Sequence, residues 1–232
     1  MLLDAAPSVR RDLAAATRQA HVALHGHPWI SLLSGPALTR DSYAVLMRAY
    51  RQFYHGVEER RRTVGFFDDL SLASAVAALG EDLKELKRAK ITSAPPTLPG
   101  FSTAPAILGG LYVLHGARFG AATLKGNVSA ILPDAPVHFL GSPMPARLWR
   151  DLIDRLERTG QGASTRTAII DAANATFGAF GDYVTACCMA DGLSKGPDDK
   201  DETEDKHAPL HQTRQPGPDT HAERQQNRNQ QA

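Results

Sequence analysis

The sequence predicts an all-α fold of about six helices, and three observations lead to this prediction. Apolar residues recur at spacings of three and four along most of the chain up to residue 193, which is the period of one helix face. Glycine and proline cluster where these patterns stop. No alternation of apolar and polar residues persists long enough to predict a strand.

The first two predicted helices lie in the N-terminal third of the chain. Ser8 can cap the first, which extends to about His25 and ends at the GHPW turn. The second extends from about Asp41 to Thr63 and has one wide apolar face that is rich in aromatic residues. The basic run 60–62 is interpreted as its solvated end.

Two more helices are predicted in the middle of the chain, on either side of the rigid SAPPTLPG connector. The third begins at Asp68 or Asp69 and has a basic C-terminal end. The fourth starts near Thr103, with Pro105 in its first turn, and extends to about Lys125.

The last two helices complete the predicted fold. Ser142 and Pro143 form a cap followed by a helix-starting proline, so the fifth helix begins there and ends before Gly160. The sixth extends from about Ser164 to Asp191. Together the six helices make one domain over residues 1–193.

Residues 194–232 differ in composition from the rest of the chain. Leu210 is their only large apolar side chain, and the remainder is mostly charged, amide-bearing or small. Such a segment cannot bury enough apolar surface to offset the entropy lost on ordering. The sequence therefore predicts a disordered polar tail over 194–232.

Charge and cysteine content exclude several classes of protein. The 232 residues include 26 Lys and Arg against 25 Asp and Glu, a net charge of +1, so we expect neither a nucleic-acid partner nor a membrane. Cys187 and Cys188 are adjacent and cannot join distant segments. The longest apolar stretch, 104–114, is too short to span a bilayer, and residues 1–11 lack the apolar core of a signal peptide. We therefore expect a cytoplasmic protein.

His21 is the first candidate functional residue. Ala14, Thr17 and Leu24 share its face of the first predicted helix, so the ring is expected to point towards an apolar surface of small residues. A neutral imidazole there is a suitable axial ligand for haem iron. The alternative is a buried structural histidine bonded to a carbonyl group.

The second candidate feature is a glycine stripe in the fourth helix, within GGLYVLHGARFGAATLKG. The stripe consists of Gly109, Val113, Gly116, Gly120 and Leu124. Each interior glycine costs a helix about 1 kcal/mol relative to alanine. The stripe would let a flat molecule approach the backbone or let the helix kink, and the alternative is close packing against another helix. His115, one position off the stripe, is interpreted as structural.

These segments together resemble the haem oxygenases, particularly the bacterial type associated with bacteriophytochromes. LAAATRQAH surrounds His21, and LYVLHGARFGAA is similar to the family's distal-helix pattern LYVLEGxxLGG. Weaker similarity is found at Phe139…Gly141…Trp149 and at AIIDAANATFGAF, residues 168–180. The resemblance covers about residues 8–190 and implies a haem-oxygenase-like helical domain.

The resemblance implies an activity and its partners. Haem would be both substrate and cofactor, and O₂ the co-substrate. The products would be biliverdin, CO and Fe²⁺. A ferredoxin or a flavin reductase would supply electrons, and a bacteriophytochrome could accept the biliverdin.

The resemblance also implies a set of site residues. His21 would ligate the iron on the proximal side. Gly116, Ala117 and Gly120 would line the distal side, where their small size leaves room for O₂ and ordered water. The residues expected to contact haem are His21, Arg10, Arg11, Arg18, Val113, Gly116, Gly120 and Ala121.

The sequence departs from the family pattern at four positions. His25 stands where the family has an acidic residue one turn after the ligand, and Ala14 where it has a basic one. His115 replaces the glutamate before the first distal glycine, and Ala121 replaces the last glycine.

Two alternative functions stay open at the level of sequence. The first is a haem-binding or haem-delivery protein of the same fold without turnover. The second is a thiaminase-type hydrolase of the same helical superfamily, which requires a cysteine nucleophile. The cysteines here lie at the end of the last predicted helix rather than in its middle.

Overall fold

The computed structural model describes residues 8–87 and 94–193, and the predicted tail over 194–232 lies outside these ranges. The described residues form eight α-helices and three short 3-10 segments, with no strand among them, so the all-α prediction is confirmed. The helices are α1 (Val9–Ala16), α2 (Arg18–His25), α3 (Arg40–Val64), α4 (Ala73–Glu85), α5 (Ala104–Gly116), α6 (Ala121–Ile131), α7 (Ala146–Thr159) and α8 (Ala163–Ala190).

Two interruptions explain why six predicted helices become eight. The first predicted helix is divided at Thr17, whose hydroxyl donates a hydrogen bond to the carbonyl of Leu13 at 2.8 Å. Such local bonds compete with the regular helix ladder and bend helices. The fourth predicted helix is divided after Gly116 by a 3-10 turn over Ala117–Phe119.

Glu157 on α7 fixes the N-terminus of α1. Its carboxylate accepts hydrogen bonds from the hydroxyl of Ser8 at 2.7 Å and from the backbone N–H groups of Val9 and Arg10 at 3.0 and 3.1 Å. Ser8 also accepts from the backbone N–H of Arg11, as the predicted cap requires. α1 is therefore held against α7 at the end that carries the candidate arginines.

The start of α4 and the basic run 60–62 both differ from the prediction. Arg61 is only 3% exposed and pairs with Glu58 at 2.9 Å and with Asp68 at 2.7 Å, whereas Arg60 and Arg62 are exposed, so the run is solvated except at Arg61. Asp68 belongs to a 3-10 turn, and α4 begins later, at Ala73. Burial opposes the charge of Glu58, but hydrogen bonds from Arg61, Ser71 and the Leu72 N–H outweigh it and lower its pKa to about 2.

The start of α7 is also later than predicted. Pro145 occupies the N-cap position and α7 begins at Ala146, whereas the sequence indicated a start after Ser142 and Pro143. The Ser142 hydroxyl lies 3.2 Å from Arg118 Nη2 and accepts a hydrogen bond from it, so it does not cap a helix.

The long helix α8 is the centre of the fold, and α1, α2, α3 and α5 all pack against it. α5 and α8 approach so closely that a Cβ placed on Gly109 would lie 2.4 Å from the carbonyl oxygen of Ile169 and 2.9 Å from the Cβ of Ala172. Only glycine fits there. α2, which carries His21, and α5, which carries the first part of the glycine stripe, are therefore both positioned by α8.

Within 8–87 and 94–193, no helix is long and apolar enough to cross a bilayer. The same ranges contain no group of three or more His, Cys, Asp or Glu side chains arranged to hold a metal ion. Cys187 and Cys188 are both buried near the end of α8.

Candidate functional site

His21 lies on an exposed part of α2 and makes two ring contacts. Its ring meets Phe177 of α8 edge to face at a centroid distance of 5.9 Å, and it meets His25 at 4.5 Å. The Nε2 atoms of His21 and His25 lie 3.3 Å apart. The alternative of a buried histidine bonded to a carbonyl group was wrong, because His21 is exposed and bonds to His25.

The surroundings of His21 favour its neutral form. Partial burial lowers its pKa, and the charge of His25 lowers it further. A neutral imidazole has one nitrogen with a free lone pair, which is the form that can ligate a metal ion. His21 thus has the protonation state that an axial ligand needs at neutral pH.

The junction of α5 and α6 contains the predicted distal residues. Gly116 ends α5 and is half-buried, while Ala117 and Gly120 are exposed on either side of the 3-10 turn. Val113 is buried one turn earlier. The glycine stripe is therefore interrupted after Gly116 by a change from α to 3-10 geometry.

The glycines of the stripe fall into two groups by what surrounds them. Gly109 packs against α8, and a Cβ on the adjacent Gly110 would lie 2.8 Å from the ring of Phe101, so both are required by packing. A Cβ on Gly116 would come no closer than 3.8 Å to Trp149, and one on Gly120 no closer than 3.7 Å to a carbonyl.

Gly116 therefore has no packing reason to be glycine, whereas Gly120 lies at the N-cap of α6, where glycine is a favoured residue. Both have right-handed helical backbone angles that any residue can adopt, at φ −60° and −77°. Alanine at either position would make only ordinary van der Waals contacts. Because glycine costs a helix about 1 kcal/mol relative to alanine, Gly116 keeps room for a methyl group at a cost in stability.

Aromatic side chains lie beside Gly116. Tyr112 stacks on Trp149 at 5.7 Å between centroids, and Phe119 meets the same indole edge to face at 4.9 Å. Sequence reasoning assigned neither these rings nor Phe177 to the site. The rings come from α5, α7 and the 3-10 turn, and apolar periodicity alone cannot show that they meet.

Of the three candidate arginines, Arg10 is the one that the structure connects to this aromatic group. Burial raises the pKa of Tyr112, and the nearby charge of Arg10 offsets part of that rise. α1 thus brings a cation close to Tyr112 of α5. Arg11 and Arg18 are exposed on α1 and α2.

The four departures from the family pattern have different surroundings. His25 bonds to His21, and Ala14 is exposed. His115 is fully buried, and its Nε2 lies 3.0 Å from the carbonyl oxygen of Leu70, which fits its structural interpretation. Ala121 is buried and lines a separate pocket beside Arg118 rather than the space around Gly116.

No protein-family model matches the sequence, and no curated protein matches it. Solved structures do match. The heme oxygenase of Leptospira interrogans has a TM-score of 0.62 at 18% identity, over 77% of this chain and 99% of that one. Heme oxygenase-1 of the cyanobacterium Synechocystis, in complex with heme, has a TM-score of 0.59 at 15% identity, over 81% and 97%.

The NO- and CO-bound heme oxygenase of Neisseria meningitidis gives a TM-score of 0.61 at 20% identity, over 82% of this chain and 96% of that one. All three comparisons cover nearly the whole of the other protein. At identities this low, the TM-scores show the fold alone. The chain has the haem oxygenase fold.

Proposed function

We propose that this chain is a haem oxygenase that opens haem to biliverdin, CO and Fe²⁺ with O₂ and external electrons. The observation that carries the proposal is Gly116, a helical glycine that neither packing nor backbone geometry requires, with the exposed Gly120 after the 3-10 turn, in a chain with this fold. Such glycines leave the space that a flat macrocycle and a small gas molecule need beside a helix.

His21 is the proposed axial ligand. Its neutral ring offers a nitrogen lone pair, and Phe177 packs against one edge and limits its rotation. The bond to His25 occupies Nε2 in the present arrangement. Ligation through Nε2 of His21 therefore requires this hydrogen bond to break. His25 can then orient the His21 ring through a hydrogen bond to its other ring nitrogen, Nδ1.

Gly116, Ala117 and Gly120 are proposed to form the distal side. Bound haem supplies the iron at which O₂ is reduced. The residues here contribute space rather than a charged group, because Ala117 has only a methyl group and the two glycines have no side chain. Ordered water in that space can deliver protons, which removes the need for an acidic side chain. Val113 supplies apolar contact from the preceding turn.

Arg10 is the proposed partner of a haem propionate, since its charge lies close to Tyr112, which stacks on the Trp149 ring beside Gly116. Arg11 and Arg18 are further candidates on the same side of the fold. Ala121 is the weakest of the proposed contacts, because it lines another pocket.

The partners follow from the proposed reaction. A ferredoxin or flavin reductase would supply the electrons, a bacteriophytochrome is the proposed biliverdin acceptor, and the reaction would take place in the cytoplasm. A thiaminase-type hydrolase is disfavoured by the cysteines. Both are buried, and burial raises the pKa of Cys188 to about 12, which keeps its thiol protonated and a weak nucleophile.

A haem titration followed by reduction tests the proposal. The full chain should bind one haem with a histidine-type spectrum, and a reductant in air, with catalase present, should convert it to biliverdin. The variant His21→Ala should lose the histidine-type spectrum, whereas His55→Ala, an exposed histidine on α3, should keep it. Haem that binds but stays intact would instead indicate a delivery protein.

A further inference from the structure

Arg118, in the 3-10 turn between α5 and α6, is a buried cation. It is 3% exposed. Its Nη2 donates to the carbonyls of Ser142 and Pro143 and to the Ser142 hydroxyl, each at 3.2 Å, and its Nη1 lies 3.8 Å from the sulfur of Met144. Its Nε has no hydrogen-bond partner.

None of these acceptors carries a negative charge. Among the described residues no carboxylate lies within ion-pair distance of Arg118, and burial lowers its pKa. A buried guanidinium whose charge is not neutralised is costly to the fold. The contrast with Arg61 is direct, because that equally buried arginine has two carboxylates as partners.

Arg118 lines a pocket of about 300 Å³ that contains a second cation. Lys125 of α6 also lines it, and a Cβ on Gly141 across the pocket would lie 3.4 Å from the Lys125 Nζ atom. The lining residues include no Asp or Glu. The N-terminus of α6, which no side chain caps, contributes Ala121 and Ala122 to the same wall.

We propose that this pocket binds a small oxyanion, a carboxylate or a phosphate group. The anion would neutralise Arg118, accept hydrogen bonds from Lys125 and from the first N–H groups of α6, and fit a pocket of this volume. Of the residues proposed to contact haem, only Ala121 lines the pocket. The inference therefore does not depend on the proposed function.

Anion titrations of the haem-free full chain at constant ionic strength test the proposal. Inorganic phosphate and acetate, each replacing chloride, are added while heat release and melting temperature are measured. We expect one saturable site for at least one of the two anions. The anion that binds more tightly shows whether the site prefers a carboxylate or a phosphate group. A response to neither anion up to tens of millimolar would overturn the proposal.

Matched variants locate the site. Lys125→Gln replaces an exposed residue and should weaken the preferred anion about threefold to fivefold, whereas Lys84→Gln, an exposed lysine on α4, should leave its affinity unchanged. Arg118→Met should abolish the saturable response; circular dichroism checks that this variant is folded, and Lys125→Gln carries the test if it is not. Equal affinities in wild type and Lys125→Gln would overturn the assignment to this pocket.

Discussion

The Nε2 atoms of His21 and His25 lie 3.3 Å apart, one helical turn along α2, with the two rings at 76° to each other. A hydrogen bond between two imidazoles needs one donor and one acceptor, so at least one ring must be neutral. The arrangement couples the protonation of the proposed iron ligand to a neighbour that stands where the resembling family has an acidic residue.

Replacing His25 should raise the pKa of His21. Burial is the larger cause of its lowered pKa and remains in His25→Ala, but the repulsion from a charged His25 is removed. An NMR titration of the imidazole carbon-bound protons measures the shift. His27, whose pKa is lowered mainly by its own burial, is the internal control and should not move. An unchanged His21 titration would show that the two rings are not coupled.

Alanine substitutions should separate the two groups of glycines. Gly109→Ala should destabilise the fold by about 2 kcal/mol or more, because its Cβ would lie 2.4 Å from a backbone oxygen of α8. Gly116→Ala should leave the haem-free fold equally stable or stabilise it by up to about 1 kcal/mol, since Gly116 is helical and unobstructed. Urea unfolding monitored by circular dichroism measures both.

The same Gly116→Ala variant should nevertheless turn over haem more slowly than the wild type, because the added methyl group enters the proposed distal space. A variant that is folded, stable and impaired identifies a functional glycine. Normal turnover in Gly116→Ala would contradict the proposed role of Gly116 on the distal side.

His115 should make the fold less stable at acidic pH. Burial lowers its pKa to about 4, against about 6.5 in an unfolded chain. Between these two pKa values the unfolded chain binds a proton at His115 and the folded chain does not. The free energy of unfolding therefore decreases as the pH is lowered from 6.5 to 4, by about 3 kcal/mol in total from this residue. Above pH 6.5 the effect is absent.

The variant His115→Gln should flatten that part of the stability–pH curve, measured by urea unfolding from pH 7 to pH 4. His138→Gln is the control, since hydrogen bonding to Glu85 raises the pKa of His138 and its contribution has the opposite sign. Parallel curves for wild type and His115→Gln would contradict the assigned pKa.

Arg10 should contribute to haem affinity in a salt-dependent way. Arg10→Gln removes the cation that lowers the pKa of Tyr112 and should weaken haem binding about twofold to fivefold at low salt, with a smaller difference at high salt. Arg11→Gln, at the adjacent exposed position, serves as the comparison. Equal haem affinities for wild type and Arg10→Gln would contradict the proposed contact between Arg10 and a haem propionate.

Helix periodicity and punctuation were sufficient to predict the all-α fold and the extent of the long helices α3 and α8. The breaks at Thr17 and at Ala117–Phe119 were harder, because a hydroxyl bonded to its own helix and a short 3-10 turn leave the apolar pattern intact. The start of α4 was misplaced because Asp68, a good cap by residue type, is a partner of Arg61.

The candidate site was only partly predictable for a related reason. The sequence identified His21 and the glycine stripe as candidates. A helical pattern alone, however, does not show which glycines are needed because another helix packs closely against them. That distinction rests on what lies opposite: a backbone oxygen of Ile169 at 2.4 Å for Gly109, and the ring of Trp149 at an ordinary contact distance of 3.8 Å for Gly116. The bond from His21 to His25 depends on side-chain rotamers, which spacing does not determine.

The most direct test of the central claim is the yield of CO from haem-loaded full-length protein that is supplied with reductant in air, with catalase present. The account predicts about one CO for each haem lost, together with disappearance of the Soret band and the appearance of biliverdin, with both changes strongly reduced in His21→Ala. A Soret band that persists without CO release would contradict it.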